Sequence, residues 1–240
     1  MAKKAAWAPQ NGLLQDLPGD VCERIGGELQ LVELPVGKVL HEASAQQSTM
    51  YFPREGIVSL LYALESGDTS EVAMIGNEGV VGIGLVANNR TLPVRAVVQA
   101  GGEALALRAD IAQQEFKRGG AFQAILLRYM QALLTQTALT GVCNRHHTVD
   151  RQLSRWLLLV NDRIGSAEIK MTQEQIAHLL GVRREGITEA ARRLQDDGCI
   201  RYSRGLIQVL ERECLLARSC ECYSGIRNEY DRLLGSDTPS

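Results

Sequence analysis

Up to about Asp110, apolar and polar positions alternate in short runs, with glycine or proline standing between the runs. Residues 28–34 alternate, Pro35-Val36-Gly37 turns the chain into residues 38–41, and residues 50–52 precede the turn Pro53-Arg54-Glu55-Gly56. Residues 57–64 and 69–75 flank the hairpin turn Ser66-Gly67-Asp68, and residues 94–99 and 104–107 complete the series. A period of two in strands this short predicts an antiparallel sandwich or roll.

From about Gly120 the period changes to 3.6. Phe122, Leu126, Tyr129, Met130, Leu133, Leu134 and Thr137 fall on one broad stripe of a helix that runs to about Asn144. At 1.5 Å per residue it is roughly 35 Å long. A stripe that wide exceeds what a small roll can cover, which predicts pairing with the same helix of a second copy. Phe122, Leu126, Tyr129, Leu133 and Thr137 are the expected dimer contacts. His146-His147-Thr148 interrupts, and residues 149–162 form a further helix carrying Leu153, Trp156, Leu157 and Val160. A loop at 163–167 follows. The tail from about Glu213 to Leu234 is again helical, with Ile226, Tyr230 and Leu233 on one side.

The most informative stretch is 172–194. Thr172 is an N-cap hydroxyl, and Gln175 three residues on can reach back as a capping box. Ile176, Ala177 and Leu180 share a face of a two-turn helix, and Gly181 offers the left-handed backbone needed to leave it. Ile187, Ala191 and Leu194 are the inward face of a second helix. This is a helix-turn-helix, and Arg184, Glu185, Thr188, Glu189 and Arg192 face outward. The second helix of such a pair enters the DNA major groove with its N-terminal residues at the base edges. Arg184 has the fork for guanine O6 and N7, and Glu185 can accept from the cytosine amino group.

After Asp197-Gly198, residues 199–202 and 206–209 read as two strands around the turn Ser203-Arg204-Gly205. A hairpin in that position makes the motif a winged helix. Arg201 and Arg204 are then placed to meet phosphates, which positions a protein without reading sequence.

The chain has 240 residues, enough for two modest domains with cores of their own. A formal net charge of −2 argues against indiscriminate nucleic-acid binding. Between positions 183 and 204, however, six arginines stand against four acids, so the local surface is basic. No apolar run reaches membrane-spanning length, and the basic N-terminal start lacks the apolar core of a secretory signal. The chain is therefore expected in the cytoplasm, with its six cysteines as thiols rather than a disulfide framework.

A β roll, a long helix and a winged helix in that order resemble the Crp/Fnr family of bacterial transcription regulators, whose best-known members bind cyclic AMP. The resemblance covers nearly everything after about residue 20 and is most specific over 171–209, where Gly181-Val182-Arg183-Arg184-Glu185 looks like the family's turn and recognition-helix start. It implies an α+β fold. A tail (1–20) would precede a cyclic-nucleotide-binding-like jelly roll acting as sensor (21–118), a dimerisation helix (119–147) and a winged helix-turn-helix (148–240). It further implies a homodimer on a palindromic duplex site, with RNA polymerase a candidate partner and Arg184 and Glu185 the base-reading pair. Arg183, Thr188, Arg192, Thr172, Arg201 and Arg204 complete the expected DNA-binding set.

Two departures bear on the operator: Arg183 stands where serine is frequent, and Glu189 where arginine is frequent. Glu189 is expected to pair instead with Arg193 one turn on. At the sensor end the resemblance places Ile83 where a ribose-binding glutamate is usual, and Ala96 where a hydroxyl is usual, leaving Arg95 as a lone anion-binding candidate. Without the carboxylate the ribose hydroxyls lose their acceptor, at a cost of about 1–3 kcal/mol, so the effector is expected not to be cyclic AMP.

Other chemistries fit less well. The glycines at 76, 79, 82 and 84 lack the Gly-Lys-Ser/Thr of a phosphate-binding loop, and His41 is the only histidine in the β region, too few for a metal-dependent jelly-roll enzyme. Neither an enzymatic activity nor a cofactor or metal is expected. One alternative is a redox- or metal-sensing regulator of the same fold that uses Cys214, Cys220 and Cys222, although Cys220 and Cys222 would not share a helix face. A ligand-binding protein whose winged helix makes only protein contacts, and a constitutive regulator with an unresponsive roll, are the others.

Overall fold

The computed structural model describes residues 10–86 and 91–235. The basic N-terminal start and positions 236–240 of the last expected domain lie outside the described residues. The chain forms two compact units. One takes in Met1–Leu60, Met74–Leu134 and Glu229–Ser240; the other takes in Leu61–Ala73 and Thr135–Asn228.

Two short helices, α1 (Gly12–Gln15) and α2 (Gly19–Gly26), precede the strands and are not marked by any hydrophobic period. Asn11 fixes the first of them: its side chain is fully buried, accepts from the Leu14 amide and donates to the carbonyls of Pro53 and Gly79, each at 2.9 Å. The strands follow the alternation closely: β1 Gln30–Leu34, β2 Val39–His41, β3 Thr49–Pro53, β4 Ile57–Ala63, β5 Thr69–Ile75, β6 Arg95–Ala100 and β7 Gly102–Arg108. They make a three-stranded sheet β1-β7-β3 and a four-stranded sheet β2-β6-β4-β5. In β3, Met50 and Phe52 are buried while Tyr51 between them is only partly covered, as a two-residue period requires. The outer end of the β4–β5 hairpin, residues 61–73, groups with the second unit.

Between β7 and the long helix lies α3 (Ala109–Arg118), which the pattern does not signal. Its buried face consists of Ala109, Ala112 and Glu115, too weakly apolar to show as a period. The Glu115 carboxylate is held there by Arg24 at 2.7 Å and Arg118 at 3.2 Å.

The long helix α4 runs Ala121–His146, and its apolar stripe divides into two faces. Phe122, Leu126, Tyr129 and Leu133 are buried within the protomer, and Thr137 is partly covered. Gly79 lies so close to Tyr129 that a Cβ there would stand 2.6 Å from the ring. This corrects four of the expected dimer contacts, Phe122, Leu126, Tyr129 and Leu133, whose side chains are already covered within the protomer. The exposed apolar face, about a third of a turn away, carries Leu127, Met130, Leu134 and Val142. A stripe this broad cannot say which part its own chain will cover.

In the second unit, α5 (Val149–Ile164) buries Leu153, Trp156, Leu157 and Val160 as its spacing requires. The Trp156 indole donates to the buried Glu71 carboxylate of β5 at 3.1 Å. Strand β8 (Glu168–Lys170) pairs with the wing, in a sheet of order β8-β10-β9. The tail is two helices, α8 (Arg212–Arg218) and α9 (Glu221–Leu234), broken at Ser219 and Cys220. Cys199 and Cys214 are joined as a disulfide, with their Cα atoms 5.1 Å apart, contrary to the expectation of free thiols for that pair. Spacing along the chain could not show that the wing's first strand lies beside α8. Among the described residues no helix is long and apolar enough to cross a membrane.

Candidate nucleic-acid interface

The two helices of the expected motif are α6 (Gln173–Leu180) and α7 (Arg184–Asp196). The capping box is complete: the Thr172 hydroxyl accepts from the Gln175 amide at 3.2 Å, and the Gln175 side chain accepts from the Thr172 amide at 2.8 Å. Gly181 closes α6 in the left-handed region, φ 65° and ψ 35°, and a Cβ there would collide with the Ser70 side chain. The left-handed backbone favours glycine, and any side chain there would also have to turn the Ser70 hydroxyl aside. Ile176, Ala177, Leu180, Ile187, Ala191 and Leu194 are all buried between the helices and α5, together with Leu179 and Ala190.

What remains outside is a face of charged side chains. Arg183 is the N-cap of α7, and Arg183, Arg184, Glu185, Thr188 and Arg192 are exposed. The guanidinium groups of Arg183, Arg184 and Arg192 make no hydrogen bond or ion pair among the described residues. Their neighbour Arg193 differs: it pairs with Glu189 at 2.9 Å and with Asp150 at 3.1 Å, so Glu189 is engaged within the helix as its spacing suggested. The Thr188 hydroxyl is also occupied, donating toward Gln173 at 2.6 Å and the Arg184 carbonyl at 3.1 Å. Thr172 spends its hydroxyl on the cap. On the helix-turn-helix, Arg183, Arg184, Arg192 and Glu185 therefore stand free among the described residues, while the two threonines hold the motif together.

The wing is β9 (Ile200–Ser203) and β10 (Leu206–Val209), paired antiparallel. Its two turn residues both have positive φ, Arg204 at 49° and Gly205 at 79°, the backbone of a tight two-residue hairpin turn. An arginine there accepts a conformation that glycine or asparagine adopts more readily. Three contacts not legible in the sequence fix the wing beside α6 and α7. The Gln173 amide donates to the Tyr202 hydroxyl at 3.1 Å, the Tyr202 amide to Gln195 at 2.9 Å, and the Met171 amide to the Gly205 carbonyl at 2.8 Å. Arg201 and Arg204 are exposed, Arg201 lying 3.5 Å from Gln208.

At the other expected site, Arg95 of β6 is ion-paired with Glu42 at 3.0 Å on an exposed surface. Ile83, in a single 3-10 turn over Ile83–Val86, is buried, as is Ala96. The cysteines regroup as well. Cys214 is in the disulfide, whereas Cys220 and Cys222 meet Cys143 and His147. The expectation about shared faces failed because Cys220 precedes α9 rather than lying on it.

Residues 151–218 match the family model of the Crp-like helix-turn-helix domain. A comparison with curated protein sequences finds no significant match. Solved structures are similar over nearly their whole length. A transcriptional regulator of the Crp/Fnr family from Eubacterium rectale is 19% identical with a TM-score of 0.68, covering 85% of this chain and 96% of its own. FixK2 from Bradyrhizobium japonicum is 13% identical with a TM-score of 0.69, covering 80% and 98%. The c-di-GMP-responsive global regulator CLP of Xanthomonas campestris is 17% identical with a TM-score of 0.63, covering 80% and 99%. Residues 151–218 are thus similar to a Crp-like helix-turn-helix domain, and the chain as a whole shares the fold of these Crp/Fnr-type solved structures.

Proposed function

We propose that the chain acts as a homodimer that reads a palindromic duplex site with two copies of α7, under control of an effector other than cyclic AMP. One observation carries this reading. Arg183, Arg184 and Arg192 stand exposed and unpaired on the outer side of a capped, tightly packed helix-turn-helix. Arg184 and Glu185 open α7 and are the base readers, and Arg183, Arg192, Arg201 and Arg204 take phosphates. Thr172 and Thr188 serve the interface by fixing α6 against α7.

Dimerisation falls to the exposed face of α4. Leu127, Met130 and Leu134 recur at three- and four-residue steps, the spacing of a two-helix seam. Two copies must present their recognition helices to grooves about 34 Å apart. In this reading residues 21–118 are the sensor, 119–147 the dimer helix and 148–240 the DNA-binding domain. The protein works in the cytoplasm as a binding protein rather than an enzyme, with RNA polymerase as a partner on the bound promoter.

The sensor's chemistry supports a ligand other than cyclic AMP. A buried Ile83 offers the ribose no acceptor, Ala96 has no hydroxyl, and an anion would have to displace Glu42 from Arg95. Calorimetry showing micromolar affinity for cyclic AMP would overturn this part. Selection of bound duplexes from a random pool tests the rest: the expected product is one motif with two inverted half-sites, and no enrichment would refute it.

A further inference from the structure

The last turn of α4, the corner after it and the junction of α8 with α9 bring four potential metal ligands together. Cys143, His147, Cys220 and Cys222 place their sulfur and ring-nitrogen atoms all within 4.8 Å of one another. The Cys143 and Cys220 sulfurs are 3.5 Å apart, and the Cys222 sulfur is 3.7 Å from His147 Nδ1. We propose that these four residues form a closed tetrahedral zinc site of three thiolates and one imidazole.

The spacing fits the ion. Zinc–sulfur bonds of about 2.3 Å and zinc–nitrogen bonds of about 2.0 Å give tetrahedral edges of roughly 3.8 Å between sulfurs and roughly 3.5 Å between sulfur and nitrogen. A cubane iron–sulfur cluster holds its cysteines on opposite corners of a larger body and would need them further apart. The three cysteines are buried, as a structural site with no open position requires.

Two neighbours supply what a metal site needs beyond its ligands. His147 Nε2 lies 3.4 Å from the Glu221 carboxylate. A hydrogen bond there places the proton on Nε2 and turns a bare Nδ1 toward the sulfurs, the carboxylate–histidine–metal arrangement of many zinc sites. Arg155 is the second. It is buried, makes no ion pair among the described residues, and donates a hydrogen bond to the neutral Thr140 hydroxyl at 3.3 Å. A buried guanidinium without a counter-charge is costly. Its field acts on Cys143 and Cys222, and three thiolates around a divalent ion carry the single negative charge that balances it.

In sequence the pattern is Cys-x3-His followed by Cys-x-Cys some 73 positions on. The ion would staple the C-terminal end of α4 to the start of α9. The site is independent of whether the helix-turn-helix reads DNA, and its test does not involve DNA.

The untagged chain, purified under reducing conditions and dialysed, is analysed for metals; about one zinc per chain is expected. Cobalt added to the stripped protein should give the intense visible bands of a tetrahedral site together with thiolate charge-transfer absorption. Both signals should vanish in Cys222→Ser and in His147→Ala and persist in Cys22→Ser. For a variant that does not fold, competition between the stripped wild-type chain and a chromophoric zinc chelator gives the stoichiometry directly. Iron with acid-labile sulfide, retention of zinc by the Cys220→Ser/Cys222→Ser double variant, or failure of the stripped wild-type chain to take up zinc or cobalt would each overturn the assignment.

Discussion

Arg184 at the start of α7 and Arg95 at the start of β6 are both exposed arginines singled out by the sequence as ligand-binding candidates, and their surroundings differ. Arg95 has Glu42 at 3.0 Å, so an incoming anion must break an ion pair before it gains one. Arg184 has no such partner among the described residues, and neither do Arg183 and Arg192 beside it, while Arg193, pointing elsewhere, is paired twice. A cation that the fold leaves unpaired in a cluster of like charge repels its neighbours in the free protein and gains most when a polyanion arrives. The difference teaches that position on a motif nominates a residue, and the charges around it decide whether it is available.

The comparison can be broken or sharpened by substitution. Leu134→Asp has the largest expected effect: if the α7 faces act in pairs, a charge in the α4 seam makes the protein monomeric in sedimentation and weakens operator binding by about 100-fold or more. A variant that remains dimeric would place the interface elsewhere. Arg184→Ala is expected to cost about 1–3 kcal/mol and relax preference at one base pair, read by titrating operators altered one position at a time. Thr172→Ala removes the cap and should lower the unfolding free energy by about 1 kcal/mol in denaturant titrations. Arg204→Ala should weaken binding uniformly across sequences and reduce the salt dependence by about one ion. Arg95→Ala comes last, with operator affinity unchanged in a gel shift and stability altered by less than about 0.5 kcal/mol. A large loss of affinity there would erase the distinction between the two arginines.

Much of the fold was legible because local rules agreed. The Thr172–Gln175 box, the left-handed Gly181 and the six buried apolar positions of α6 and α7 are set by near neighbours, and each is where the pattern put it. The β strands were legible for the same reason. Helix α3 was not, because its inward face is Ala109, Ala112 and a salt-bridged Glu115. In α4 the pattern showed that the helix was apolar over a wide arc, but the closeness of Tyr129 to Gly79 determined which side stayed exposed. The wing's fastening through Tyr202, and the occupation of Thr188 by Gln173, depend on side chains meeting across elements.

By itself the sequence determined the period of every long element, the helix-turn-helix and the basic character of its outer face, since these follow from spacing, caps and charge within a few turns of chain. Tertiary structure decided which arginines keep a free charge, which half of α4 stays exposed, and that Cys143 and His147 share a pocket with Cys220 and Cys222. Each of those depends on distances between residues far apart in the chain. No local period records them.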